Sequence, residues 1–501
     1  AKASSDADRR GQLALLCLIH VAQGHDGDAE ADLKALKPLL EKLEPSDRDH
    51  LRWPELLAAS RALDRPALRD AARALTTVIV TEQLQKEHKG VGEPLKTHLL
   101  HVNGLAQWLA LPEAERASLG ADPSLSSWAR VTHGQARTRG EGFPLPHWSS
   151  DGGTLKHFPG HDHDFMYLRV PIDGSFEVGC EVFGQREVQL SYGGIAVGLS
   201  ADKKEYLVTH YGRKSQSFTL APPLKQTDGP FRLRLAVRDG TLALSVGDRL
   251  IHQTSLPAKP DPWLVLYQSA ADLGGVRDLS LNGKVTVPDE IDLSGPADLT
   301  GWLDDYYQVS PGFESPIWER RGQEITAARQ KDANGSKQER LLQYHRPLLE
   351  DGEIRYEFYF DPGKTLVHPA LDRLVFLIEP KGVRIHWLTD AQYDRTGLAP
   401  DNATEELACR RGPSALPLKN GEWNQIVLRL KGDIVTLLLN DTSIYERALE
   451  PTNQRTFGFF HYADETDARV RSIIYKGQWP HALPDDLGLS RPNPAAAKSG
   501  K

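Results

Sequence analysis

Sulfur is scarce in this chain: 501 residues hold one methionine, Met166, and three cysteines, Cys17, Cys180 and Cys409. The cysteines lie far apart, form no CxxC pair and show no zinc-ligand spacing, so neither a disulfide framework nor a structural zinc site is written here. They read as small buried hydrophobes. No apolar run approaches the roughly 20 residues that span a bilayer as a helix. Basic residues do not dominate: 60 Lys and Arg face 68 Asp and Glu, a net charge of −8, which argues against a nucleic-acid binder with a basic stripe. Walker loops, GxGxxG, GxSxG and HExxH are all missing, and with them the common signatures of nucleotide, acyl-transfer and zinc-protease chemistry. Residue 1 is Ala, and no charged segment followed by an apolar one opens the chain. The expectation is a processed chain or the C-terminal part of a longer one.

What is present is a change of grammar along the chain. Residues 1–115 carry helical periodicity: Leu13, Leu15, Leu16, Leu18 and Val21, then Leu33, Leu36, Leu39, Leu40 and Leu43 after the turn Gly24-His25-Asp26-Gly27. Pro54 and Pro66 sit at first turns of a second pair, and a fifth helix is expected over Glu93 to Leu111. Small residues at the contacts (Ala58, Ala59, Ala71, Ala72) predict an α-solenoid of the tetratricopeptide kind.

From Gly142 onward, period-2 alternation and turn dipeptides predict an all-β sandwich, and the pattern occurs twice. Gly174 to Val182 aligns with Gly352 to Phe360 at an offset of 178 (174 to 352), placing Phe176, Val178, Cys180 and Val182 on Ile354, Tyr356, Phe358 and Phe360. A hairpin around Gly240 matches one around Gly432 at 192, and Val276 to Gly283 matches Val470 to Gly477 at 194. The drift places an insertion in the second copy, in the polar stretch Thr389 to Gly412. The expected organisation is a helical-repeat segment at 1–115, a linker at 116–141, sandwiches at 142–287 and 288–485, and a disordered tail at 486–501.

The second sandwich carries a set of phrases: Leu299-Thr-Gly-Trp302, Tyr344-His-Arg-Pro347, Val367-His-Pro-Ala-Leu-Asp-Arg373, His386-Trp-Leu-Thr-Asp390, Glu422-Trp-Asn424, Ala468-Arg-Val-Arg471 and Gly477-Gln-Trp-Pro480. Over residues 140–485 they make the chain resemble an uncharacterised family of large proteins typical of planctomycete bacteria, a domain of unknown function of the DUF1583 kind. The resemblance implies duplicated jelly-roll modules, concanavalin A-like or laminin G-like, and export to the periplasm or cell surface. It implies no established activity and carries no catalytic residue.

Candidate site residues come from alternation. The strand from Glu353 turns Arg355, Glu357 and Tyr359 to one face, and the strand from Val383 does the same with Arg384 and His386. With both strands in one sheet, these residues and Asp390 would share a concave surface of planar polar groups beside an aromatic ring, which is what a sugar site requires. Three functions fit: a non-catalytic glycan-binding or scaffolding protein; a jelly-roll hydrolase or lyase using Glu357, His386 and Asp390 as acid–base groups with Arg355 and Arg384 as charge stabilisers; or a structural component of an envelope assembly, with protein contacts through the helical segment. No cofactor is expected. Calcium is the cation that the oxygen-rich insertion (Asp390, Asp394, Asp401, Asn402, Glu405, Glu406) would take. The cluster His157, His161, Asp162, His163 and Asp164 matches no defined metal site. Glu290-Ile-Asp292 resembles the start of a glucanase signature but has Gly295 where the acid–base carboxylate belongs.

Overall fold

The computed structural model describes residues 6–42, 53–63, 65–80, 127–132, 148–483 and 487, apart from the short stretches 152–153, 158–163, 185–187, 201–202, 214, 226–229, 269–273, 305–317, 331–337, 392–393, 396–397, 400 and 452. Four helices come first: α1 (Asp6–Gln23), α2 (Asp26–Glu41), α3 (Trp53–Leu63) and α4 (Arg69–Val80), with a 3-10 turn at Pro66–Leu68. Their core joins Leu33, Leu36 and Leu40 of α2 to Ala58, Ala59, Ala62, Ala72 and Leu75. On α1 the buried positions are Ala14 and Cys17, whereas Leu15 and Leu16 face outward. Small side chains let the helices approach closely. Arg65 pins the two pairs together, its Nη2 donating to Asp26 Oδ1 at 2.7 Å. The expected fifth helix lies outside the described residues.

The rest is β, in two sandwiches with the same strand order. In the first, the long-strand sheet runs Arg249–Ser255, Thr241–Val246, Phe231–Arg238, Asp173–Gly184, Gly274–Thr286, Thr154–His157, Trp148–Asp151. In the second, it runs Thr442–Ala448, Ile434–Leu439, Glu422–Lys431, Gly352–Phe360, Ala468–Gly477, Glu324–Ala327, Trp318–Arg321. The short-strand sheets correspond over six strands: Trp128–Thr132, Asp164–Leu168, Val265–Gln268, Gln189–Tyr192, Ile195–Leu199 and Glu205–His210 against Trp302–Asp304, Glu339–Tyr344, Phe457–Tyr462, His368–Leu371, Leu374–Glu379 and Gly382–Trp387. Among the described residues, the counterpart of the seventh strand of the first sheet, Gln216–Thr219, is the single bridge Ile385–Thr404. The strand ladders are all antiparallel, and in each sandwich the inner faces meet in an apolar layer, the arrangement of a jelly-roll sandwich.

Register refines the expected alignment. Val182 lies opposite Val276, and Phe358 opposite Val470, so with 276 on 470 the neighbouring strands align at an offset of 176 (182 to 358). The expected 178 is one full pleat away. A slip of two residues leaves every side chain on its own face, so alternation alone does not detect it. The hairpins align at 193, because the two-residue turns are Asp239-Gly240 and Gly432-Asp433. The glycine takes the second turn position in one and the first in the other, at φ 69° and 58°. The third landmark keeps its offset of 194. Asp278 (φ 51°) and Ser472 (φ 55°) are both left-handed residues at a bulge in corresponding strands. The strand Trp128–Thr132 lies in the stretch read as linker, yet it is an edge strand of the first sandwich, with Trp128 buried. At the other end, Leu487 falls in the stretch read as tail, and its carbonyl accepts from Trp128 Nε1 at 3.0 Å.

The sandwiches share a core. Phe165, Tyr167, Trp263 and Tyr267 of the first belong to the same buried cluster as Trp302, Tyr344 and Trp479 of the second. Across the junction Tyr167 Oη meets His345 Nδ1 at 2.9 Å, and His345 Nε2 meets Asp261 Oδ2 at 2.5 Å. Tyr344 Oη also donates to Asp261. Arg346 stacks 3.4 Å from the Trp263 ring centroid, and its buried charge is paired with Glu350.

Candidate functional site

The residues expected to converge are divided between the two sides of the second sandwich. Arg355, Glu357 and Tyr359 point outward from the long-strand sheet, in the strand Gly352–Phe360. Arg384 and His386 point outward from the short-strand sheet, in Gly382–Trp387. The core between the sheets is about 10 Å thick, so the expected shared surface does not form, nor does the acid–base pairing of Glu357 with His386. Alternation assigns a side chain to a face but leaves open which sheet its strand joins. Asp390 lies in a two-residue ladder with Asp394–Arg395, and its side chain is outside the described residues.

Around His386 the inserted segment closes the face. Leu388 packs with Leu341, Val375, Leu377, Phe460 and Tyr462, with Ala403 beside them. His386 is fully buried, its Nε2 2.6 Å from Glu339 Oε1 and its Nδ1 2.6 Å from the Asn402 carbonyl. Glu339 also accepts from Thr389 Oγ1 at 2.7 Å. Arg384 is held by Glu379. This cluster fastens the insertion to the sheet, and both ring nitrogens of His386 are already engaged. Burial depresses the pKa of neighbouring His368 to about 3 and that of His461 to about 4.

The outer face of the long-strand sheet is open. Tyr359 and Trp423 are a cross-strand pair with ring centroids 5.6 Å apart in an edge-to-face arrangement. The Arg469 guanidinium lies 4.5 Å from the Tyr359 centroid and 5.2 Å from that of Trp423, and Arg471 lies 4.0 Å from Trp423. Carboxylates set the guanidinium planes. Arg469 donates to both oxygens of Glu324 at 2.9 and 3.0 Å, which hold its pKa above the ordinary value, and Arg471 Nε donates to Glu357 at 2.6 Å. Tyr359, Trp423, Glu357, Arg469 and Arg471 are all half-buried, and Arg355 is exposed. The result is a pre-organised strip of aromatic rings and planar polar groups.

The first sandwich provides an internal control. Its Arg277–Glu181 pair, at 2.8 Å, occupies the place of Arg471–Glu357 at the same bulge, so the fold itself accounts for that ion pair. Phe183 stands for Tyr359, Gly275 for Arg469 and Gly179 for Arg355 by the observed register. A Cβ on Gly275 would lie 2.4 Å from the Phe183 ring, which excludes an arginine there without movement. The first sandwich therefore lacks the aromatic–arginine strip, which the shared fold does not require. Trp423, Arg469 and Arg471 were absent from the expected site. Each sits in an alternating strand, but only the register shows that they border Tyr359 and Glu357.

The remaining candidates are structural. His157 is buried with its ring 4.8 Å from Trp148, and His161, Asp162 and His163 lie outside the described residues. Among the described residues no three His, Cys, Asp or Glu side chains converge as metal ligands. Within the insertion, Asn402 donates to the Trp387 carbonyl and Glu406 accepts from Tyr445. Trp302 and Trp318 are core residues. Burial raises the thiol pKa of Cys17 and Cys180 to about 12. A small cavity of about 20 Å³ at the junction is lined by Lys259, Asp261, Asp292, Thr300, Trp302 and Tyr344. Its charged groups pair among themselves, Lys259 with Asp292 and Asp261 with His345, leaving no charge free to orient a ligand.

Two family models match parts of the chain: Domain of unknown function (DUF1583_N) over residues 333–482, and Protein of unknown function (DUF1581) over 234–335. The second straddles both sandwiches. No curated protein matches. Similar solved structures include a carbohydrate-binding module, CBM66, from Bacillus subtilis (8% identity, 31% of this chain, 96% of that one, TM-score 0.24). A protein of unknown function with a galectin-like fold from Bacillus subtilis is similar at 14% identity, 33% and 92% coverage and TM-score 0.22. The mouse laminin α1 chain, domains LG4-5, is similar at 11% identity, 70% and 98% coverage and TM-score 0.19. At these scores nothing about function follows from the likenesses. No described helix is long and apolar enough to cross a membrane.

Proposed function

We propose that this chain is a non-catalytic glycan-binding protein, exported to the cell surface or envelope, and that it binds through the outer face of the long-strand sheet of the second sandwich. The observation that carries this reading is the strip Tyr359, Trp423, Arg469 and Arg471. It is ordered by its own ion pairs, and the first sandwich, built to the same plan, lacks it. Aromatic rings beside fixed planar donors match a sugar ring and its hydroxyls. We further read the two sandwiches as copies of one module, on the support of their common strand order, bulge and ion pair. The test is a glycan array probed with the full chain, with and without calcium. Saturable binding is expected; an array silent in both conditions overturns the reading.

A second reading, assembly, has one observation in its favour. Leu15, Leu16 and Ile19 of α1 are 53, 44 and 49% exposed, forming an apolar stripe on the helical segment. Sedimentation checks it: the assembly reading expects concentration-dependent self-association that Leu15→Glu with Ile19→Glu abolishes, and a monomer at all concentrations contradicts it.

A further inference from the structure

We infer that the ligand of this face is an acidic glycan, carboxylated or sulfated; the inference rests on the glycan-binding reading above and narrows it. On the three central strands of the sheet, the outward positions carry Arg355, Arg429, Lys431, Arg469, Arg471 and Lys476 against only Glu353 and Glu357. This cationic field lies on a chain whose net charge is −8, so it is a local feature and not the general character of the surface.

Both of those carboxylates are already committed. Glu353 accepts from Arg429 at 3.1 Å and Glu357 from Arg471 at 2.6 Å, and on the next strand Glu324 is taken by Arg469. The donors left over are therefore all on cations. Arg471 uses only its Nε, and Arg355 has no bond or ion-pair partner among the described residues. Arg355 stands two residues from Glu357 on the same face, one pleat or about 7 Å along the strand. Arg471 lies over the Trp423 ring, and Arg355 stands further along the same face, opposite Val427. Guanidinium groups in that row suit an acidic chain in which one sugar ring stacks on Trp423 while acid groups along the chain take paired N–H bonds. A neutral glycan would leave these donors to water and gain nothing from the field.

The first sandwich again separates ligand from fold. At the bulge, where the second sandwich has the neutral Ser472, the first has Asp278, and where the second has Arg355 it has Gly179. The matching strands of the first sandwich carry Arg232, Arg234, Arg238, Arg277 and Lys284 with Glu177, Glu181 and Asp278, so the excess of cations is larger on the second sandwich.

The experiment compares binding of the full chain to two polymer pairs: polygalacturonate with its carboxyl-reduced form, and dextran sulfate with dextran. Binding to a charged member at least about tenfold tighter than to its neutral partner is expected, and it should weaken as salt shortens the range of the charges. The pair that shows the difference identifies carboxylate or sulfate. Arg355→Gln, an exposed residue with no partner to lose, should weaken binding about fivefold or more, whereas Arg232→Gln on the first sandwich should leave it unchanged. Equal binding within both pairs, or equal loss from the two variants, overturns the acidic inference while a positive array keeps the glycan reading. No binding to any polymer together with a silent array overturns both.

Discussion

At the scale of single residues, the candidate site is defined by what its side chains already hold. Arg471 is bound through one nitrogen to Glu357 and lies over Trp423, so its plane is set before any ligand arrives. His386 shows the opposite case: it is fully buried and used on both nitrogens. Alternation assigned Arg355, Glu357 and Tyr359 to a common outward face, and the structure has them there. The same pattern gave no warning that the insertion would roof over His386, because a covering loop leaves no trace in the strand it covers. The buried histidines also make a pH prediction. His368 and His461 have folded pKa values near 3 and 4, below the 6.5 of an exposed imidazole, so they stay neutral in the fold while the unfolded chain takes up protons. Their contribution is intact above pH 6.5 and is lost as pH falls toward the folded values. At pH 5 the loss is about 2 kcal/mol per histidine. Urea denaturation at pH 7 and pH 5 should show it, and His368→Asn should reduce the pH dependence by about one histidine's share.

At the scale of elements, two sandwiches were legible in the sequence because each long strand alternates strictly. Phe176, Val178, Cys180 and Val182 are all buried, as are Ile354, Tyr356, Phe358 and Phe360. The two-residue slip between expected and observed alignment was not legible, since a slip of one pleat conserves the face. Sheet membership was not legible either. Gly352–Phe360 and Gly382–Trp387 look alike in pattern, yet they lie in opposing sheets because neighbours in a jelly roll are set by long connections. What marks the true register is the bulge. Ser472 at φ 55° and Asp278 at φ 51° hold a conformation that costs an L-residue roughly 1–2 kcal/mol. Ser472→Gly should therefore stabilise the second sandwich by about 1 kcal/mol, and Ser472→Val should destabilise it, because a β-branched side chain is worst in that region. Thermal melts of the two variants check this pair of signs.

At the scale of the whole molecule, the sandwiches behave as one body. Trp263 is buried against Arg346 and Trp479, and Asp261 is bonded to both Tyr344 and His345 across the junction. The outer face of the first short-strand sheet is spent on this junction, through Phe165, Tyr167, Trp263 and Tyr267. Calorimetry should accordingly show the β region melting in a single transition, not two. Arg346→Ala, which takes the guanidinium from half-buried Glu350 and leaves it the Tyr475 hydroxyl alone, should lower stability by about 3 kcal/mol. On this reading binding belongs to the outer face of the long-strand sheet carrying Trp423, and not to the outer face of the short-strand sheet carrying Arg384. The most direct test is a glycan-array comparison of the full chain with Trp423→Ala and, separately, Arg384→Ala, each checked for an unchanged fold by circular dichroism. The account predicts that Trp423→Ala loses binding and Arg384→Ala retains it; binding that survives the first change and disappears with the second would contradict it.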